Sequence, residues 1–174
     1  MIMNVPNFLI IGAAKSGTSA LHSYLRQHPE VFLPKQKELR YFSSIDNPET
    51  NGPNVYQYPH INDLQDYYSQ FKNVVNEIAI GEASPQYLYY PKTAQRIKEI
   101  FPSIKIIAIL RNPIYRAYSS YQHAVRDWYE SCDTFRKALQ QEPYRIKNGW
   151  PLLFHYVSAG YYSGQLNKYF NQFP

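Results

Sequence analysis

The chain has 174 residues, of which 44% are hydrophobic and 18% charged, and its formal net charge is +5. Length and composition suit one globular domain with a real core and exclude a disordered protein, while the lone Cys132 excludes an intrachain disulfide framework and a multi-cysteine metal site. The positive balance favours an anionic ligand without choosing among a nucleotide, a nucleic acid and an acidic surface.

Met1 to Pro6, which contain no long apolar run, precede the first element, so the expectation is a soluble, cytoplasmic protein without a signal peptide or membrane anchor. Phe8-Leu9-Ile10-Ile11 reads as a buried strand and runs into Gly12-Ala13-Ala14-Lys15-Ser16-Gly17-Thr18-Ser19, a phosphate-cradling loop. Its glycines let the backbone turn tightly, and the N–H groups at the start of the following helix present an anion site reinforced by the helix dipole. A Walker A loop places Lys and then Ser or Thr directly after its second glycine. Here Thr18 follows Gly17 and the lysine lies inside the loop at Lys15.

Thr18 to Gln27 is predicted as a helix with Leu21 and Leu25 on one face, stopped by His28-Pro29. A loop rich in Pro, Asn and Asp runs from about Ser44 to Asn62. Pro91 to Phe101 has helical spacing, with Pro91 suited to the first turn, and Pro102 ends it. Lys105 to Leu110 is a short apolar run of the kind that forms a parallel strand covered on both faces. It ends at Arg111-Asn112-Pro113, where Asn112 suits an N-cap and Pro113 the first helical residue. Strand, loop and helix recur, so the architecture is α/β. The eighteen tyrosines read chiefly as packing residues with a wet hydroxyl.

In open α/β sheets ligands bind beyond the carboxyl ends of the strands, where both loops lie. Arg111 supplies a bidentate fork, and Ser119, about two helical turns further on, a hydroxyl for the same phosphate. A nucleotide triphosphatase usually carries an aspartate at the end of its second strand to organise magnesium. This strand ends in Leu110-Arg111 instead, which suggests a nucleotide with two phosphate sites read by protein cations without metal. The histidines (His22, His28, His60, His123 and His155) form no short-spaced metal cluster, and His22 and His123 are the two nearest the site by sequence.

These residues resemble the sulfotransferases that use 3′-phosphoadenosine 5′-phosphosulfate (PAPS), especially the heparan-sulfate-type and related bacterial branch. Gly12 to Ser19 is similar to the family's 5′-phosphosulfate loop, and Leu110-Arg111-Asn112-Pro113 through Arg116 to Ser119-Ser120-Tyr121 to its 3′-phosphate motif. Lys37-Glu38-Leu39-Arg40-Tyr41-Phe42, Gly81 to Tyr87, Thr134-Phe135 to Leu139, and Gly160-Tyr161-Tyr162 with Leu166 resemble further segments, although Ala83 stands where this branch often has lysine.

The resemblance implies a P-loop-like three-layer fold, a central, mainly parallel sheet flanked by helices. It implies one sulfotransferase domain over 1–174, lacking the C-terminal strand and loop that enclose adenine in the family. Lys15, Ser16, Gly17, Thr18 and Ser19 would hold the phosphosulfate, and Arg111 and Ser119 the 3′-phosphate. Lys15 would also stabilise the leaving oxygen, and Glu38 would be the catalytic base, with Lys37 helping to hold the sulfuryl group. The implied acceptor is a hydroxyl or amine on a glycan or small molecule, with no metal, nucleic acid or membrane involved; oligomeric state stays open. Magnesium-dependent nucleotide kinase activity and a non-catalytic nucleotide- or glycan-binding module are the competing readings.

Overall fold

The computed structural model describes residues 4–44, 52 and 61–173. Four strands, β1 (Phe8–Gly12), β2 (Val31–Phe32), β3 (Ala79–Ala83) and β4 (Lys105–Ala108), form one sheet in the order β2-β3-β1-β4, with every pairing parallel. Helices α1 (Thr18–Leu25), α2 (Leu64–Ser69), α3 (Thr93–Ile100), α4 (Pro113–Arg126), α5 (Phe135–Lys147) and α6 (Tyr162–Phe170) flank it. Of the loop expected near 44–62, residues 45–51 and 53–60 lie outside the described residues, as does His60.

Alternation along β1 decides what covers each face. Leu9 and Ile11 enter a core with Leu39, Phe42, Tyr67, Tyr87, Ala94, Ile97 and Tyr169, drawn partly from α2, α3 and α6. Phe8 and Ile10 enter the opposite cluster with Leu33 and Ala83, against Leu21 and Leu25 of α1. Each such buried aliphatic side chain contributes about 1.5–3 kcal/mol. The result is the expected three-layer arrangement. Gly81 of β3 faces Phe8 across the sheet, and a Cβ there would lie 2.5 Å from the Phe8 ring. Tyr67, Tyr87 and Tyr156 are fully buried, which agrees with packing but not with a wet hydroxyl: the Tyr67 and Tyr87 hydroxyls are buried and that of Tyr156 donates to Glu130 Oε2.

β4 differs from its expectation. It pairs with β1 alone and is the outer strand among the described residues, with Lys105 and Ala108 exposed and Ile106 and Ile107 half-buried. An apolar run has the same appearance in an inner strand and in an outer one, and Lys105 belongs to the latter. Helix ends also moved by local chemistry: α1 closes at Leu25, and α3 starts at Thr93 behind Lys92. α4 starts as predicted. The Asn112 side chain accepts from the N–H groups of Ile114 and Tyr115 at 3.0 and 3.4 Å, with Pro113 opening the helix.

A second core lies between α4 and α5, built on Ala117, Ala124, Ala138, Phe154 and Tyr156. A buried ion pair fixes it: Arg145 donates from Nη1 to Glu130 Oε2 at 2.7 Å and from Nη2 to Oε1 at 2.6 Å. The same guanidinium lies 4.8 Å from the Trp150 ring centre and 5.1 Å from that of Phe154. Arg116, also buried, donates to the carbonyls of His155 and Tyr156. These contacts hold a short 3-10 turn, Leu152–Phe154, against α4. No helix among the described residues is long and apolar enough to cross a membrane.

Candidate active site

β1 delivers the chain at Gly12 to a loop stitched onto the end of β4. The Ala13 N–H donates to the Ile109 carbonyl at 2.7 Å, and the Ile109 N–H to the Gly12 carbonyl at 2.8 Å. Lys15 adopts φ 68 and Gly17 φ 97, left-handed values that the second position meets cheaply because it is glycine. Gly17 is also the N-cap of α1 and brings no capping side chain. Among the described residues the first-turn amides of α1 therefore have no side-chain cap, as an anion-binding helix start requires.

Arg111 reaches this loop from the end of β4, its Nη1 donating to the Lys15 carbonyl at 3.3 Å. One cavity of about 670 Å³ is lined by Lys15, Gly17, Thr18, Ser19, Glu38, Arg111 and Ser119. The two phosphate motifs, some ninety residues apart in sequence, thus share a wall with the candidate base. Ser16 is not part of the lining: its N–H is committed to the Ala13 carbonyl at 3.2 Å and its hydroxyl is buried without a partner. Burial and Arg126 lower the pKa of Lys15, against the attraction of Asp127 and Glu38.

Glu38 is held between two cations, Lys37 Nζ at 2.7 Å from Oε1 and Arg40 Nη2 at 2.7 Å from Oε2. Burial pushes its pKa up, but Lys37 and Arg40 outweigh burial and leave it below the ordinary carboxylate value. The carboxylate is therefore ionised at neutral pH and able to accept a proton. Its segment is strained, with φ 64 at Glu38 and φ 59 at Arg40.

Polar groups after β3 fix this segment. The Glu38 N–H donates to the Ala83 carbonyl at 3.0 Å, and the Arg40 N–H to Ser84 Oγ at 3.0 Å. Ser84 in turn donates to Glu82 Oε2 at 2.8 Å, while Gln86 Nε2 donates to Ser43 Oγ at 2.8 Å. Glu82 is only 1% exposed. Burial, offset in part by the Tyr87 and Ser84 hydroxyls, raises its pKa to about 7. The resemblance at Gly81 to Tyr87 indicated neither the strand nor the buried carboxyl. Ser84-Pro85-Gln86 was the available signal, since Pro85 and Gln86 also line the cavity.

Of the two histidines nearest in sequence, His123 lines the cavity, with Nε2 3.0 Å from Asp127 Oδ2, and burial followed by the Lys15 charge lowers its pKa. His22 is buried and is not part of the lining. Among the described residues no group of three or more His, Cys, Asp or Glu is arranged to hold a metal. The arrangement suits an anion with two charged ends, one at the start of α1 and one at Arg111 and Ser119, facing an ionised carboxylate.

The family model described as the sulfotransferase family matches residues 6–150. The chain is 34% identical over 125 residues to a membrane-associated sulfotransferase of Dictyostelium discoideum, covering 72% of this chain and 24% of that protein. It is 31% identical over 182 residues to the bifunctional heparan sulfate N-deacetylase/N-sulfotransferase 2 of Bos taurus, covering 98% of this chain and 19% of that protein. It thus spans between 13% and 24% of the length of such curated relatives. The crystal structure of a sulfotransferase from Alicyclobacillus acidocaldarius superposes with a TM-score of 0.92 at 44% identity, over 98% of this chain and 70% of that one.

Proposed function

The chain belongs to the sulfotransferase family, and from that premise we propose that it moves a sulfuryl group from PAPS to an acceptor hydroxyl or amine, without metal, releasing adenosine 3′,5′-bisphosphate. The observation that supports the donor assignment is that Arg111, bonded to the Lys15 carbonyl at 3.3 Å, and Ser119 line one cavity with Lys15, Thr18, Ser19 and Glu38. The residues fit such a donor: an uncapped helix start, a cation at Lys15, and a second cation with a hydroxyl at Arg111 and Ser119.

In this reading Thr18, Ser19 and the α1 amides hold the phosphosulfate, and Arg111 and Ser119 hold the 3′-phosphate. Glu38 takes the acceptor's proton as the acceptor oxygen or nitrogen bonds to sulfur. Lys15 bears on the oxygen that keeps the electron pair when its bond to sulfur breaks. Catalysis is then mainly alignment together with stabilisation of charge on the leaving oxygen. Lys37 and Arg40 keep Glu38 ionised and aimed, at the expense of some basicity. A cytoplasmic location is part of the same proposal.

The test replaces Glu38→Gln and measures transfer and nucleotide binding separately. Transfer should fall about 100- to 10,000-fold, the usual range for a lost general base, while affinity for adenosine 3′,5′-bisphosphate is kept. Unchanged transfer would remove Glu38 from the role.

A further inference from the structure

We propose that the acceptor is an uncharged, hydroxyl-bearing small molecule with an apolar or aromatic body, rather than an anionic glycan; this rests on the sulfuryl-transfer reading above. The lining of the cavity divides into two parts. The residues contributed by the start of α1 and by Arg111 and Ser119 are cationic or carry hydroxyls, whereas those contributed by the segments after α4, Tyr129, Pro151, Leu152, Leu153 and Phe154, are largely apolar. That second wall is built rather than incidental. Ser120 Oγ donates to the Leu153 carbonyl at 2.8 Å, and Arg145 packs over the Phe154 ring.

Charge accounting points the same way. Carboxylates and sulfates of a glycan are recognised by Arg and Lys, and Lys15, Lys37, Arg40 and Arg111 are the Lys and Arg residues of the lining. Lys15 and Arg111 are assigned to the donor, and Lys37 and Arg40 both clamp Glu38 at 2.7 Å. No described lining cation is left for an acceptor's own negative charge, and an apolar wall penalises a charged body that lacks a counter-charge.

The experiment gives the protein PAPS with naphthol, octanol or de-N-sulfated heparin, and follows release of adenosine 3′,5′-bisphosphate. Binding of that bisphosphate is measured in parallel by calorimetry. The kcat/KM for naphthol or octanol should exceed that for the glycan by about 100-fold, and Leu153→Asp should lower it about tenfold or more while nucleotide affinity stays unchanged. Equal or faster transfer to the glycan than to the alcohols overturns the acceptor assignment alone, whereas binding of the bisphosphate without transfer to any of the three overturns the sulfuryl-transfer reading. Failure to bind the bisphosphate likewise overturns that reading.

Discussion

Replacing Glu82→Gln removes a buried titratable group while retaining an oxygen that can accept from Ser84. Burial holds the folded-state pKa at about 7 against an ordinary value of 4.5. The sign follows from linkage: below pH 4.5 the carboxyl is protonated whether folded or unfolded, and burial carries no titration penalty. Above it the unfolded chain loses its proton first, so the native protein is progressively destabilised until the pH passes about 7, where the effect levels off. At about 1.4 kcal/mol per unit, the full effect approaches about 3 kcal/mol, of which about 2–3 kcal/mol falls between pH 5 and pH 8. Urea denaturation of both proteins across that range reads it directly. Glu82→Gln should gain stability relative to the parent as pH rises, by about 2–3 kcal/mol at pH 8 compared with pH 5. Any packing cost of the amide shifts the whole curve and leaves its slope alone. A difference between the two proteins that does not vary with pH would refute the reasoning.

Lys15→Ala should lower kcat about 100- to 1,000-fold if the side chain stabilises the leaving oxygen, checked by single-turnover transfer with the far-ultraviolet spectrum as fold control. Because Lys37 and Arg40 depress Glu38 in the free protein, the acid limb of the kcat/KM profile that it sets should lie below the ordinary 4.5 and move upward in Lys37→Met. Arg145→Met leaves the buried Glu130 carboxylate without its cation, with the Tyr156 hydroxyl and the Cys132 N–H as its remaining donors, the Arg145 and Glu130 side chains being 2% and 0% exposed. Thermal unfolding should show a loss of about 3–5 kcal/mol.

What the sequence revealed were features whose chemistry is local. Asn112-Pro113 announces the start of α4 because an amide oxygen caps the next amides and proline has no N–H to lose. Gly12 and Gly17 announce the loop between β1 and α1 through their spacing and the turn they allow. Strands β2 and β3 were hidden for the opposite reason. β2 has two residues, and β3 reads Ala-Ile-Gly-Glu-Ala, a string with little strand propensity that is strand only because it lies beside β1. Nothing in the spacing of Lys37, Glu38 and Arg40 shows how the two cations would sit about the carboxylate. The segment's left-handed turn and the Ser84 hydroxyl fold it inward, contacts set by a segment over forty residues away. Leu153 and Phe154 likewise gave no hint of a cavity wall, because a bond from Ser120 and a stacked arginine place them there.

The central claim is that a displaced lysine and a strand-end arginine form one site for a nucleotide with phosphates at both its 3′ and 5′ positions. Calorimetric titration of the protein with adenosine 3′,5′-bisphosphate and with ATP, each with and without magnesium, tests it most directly. The account predicts tighter binding of the bisphosphate, independent of magnesium and weakened about 10- to 100-fold by Arg111→Ala. Preference for ATP, or dependence on magnesium, would contradict it.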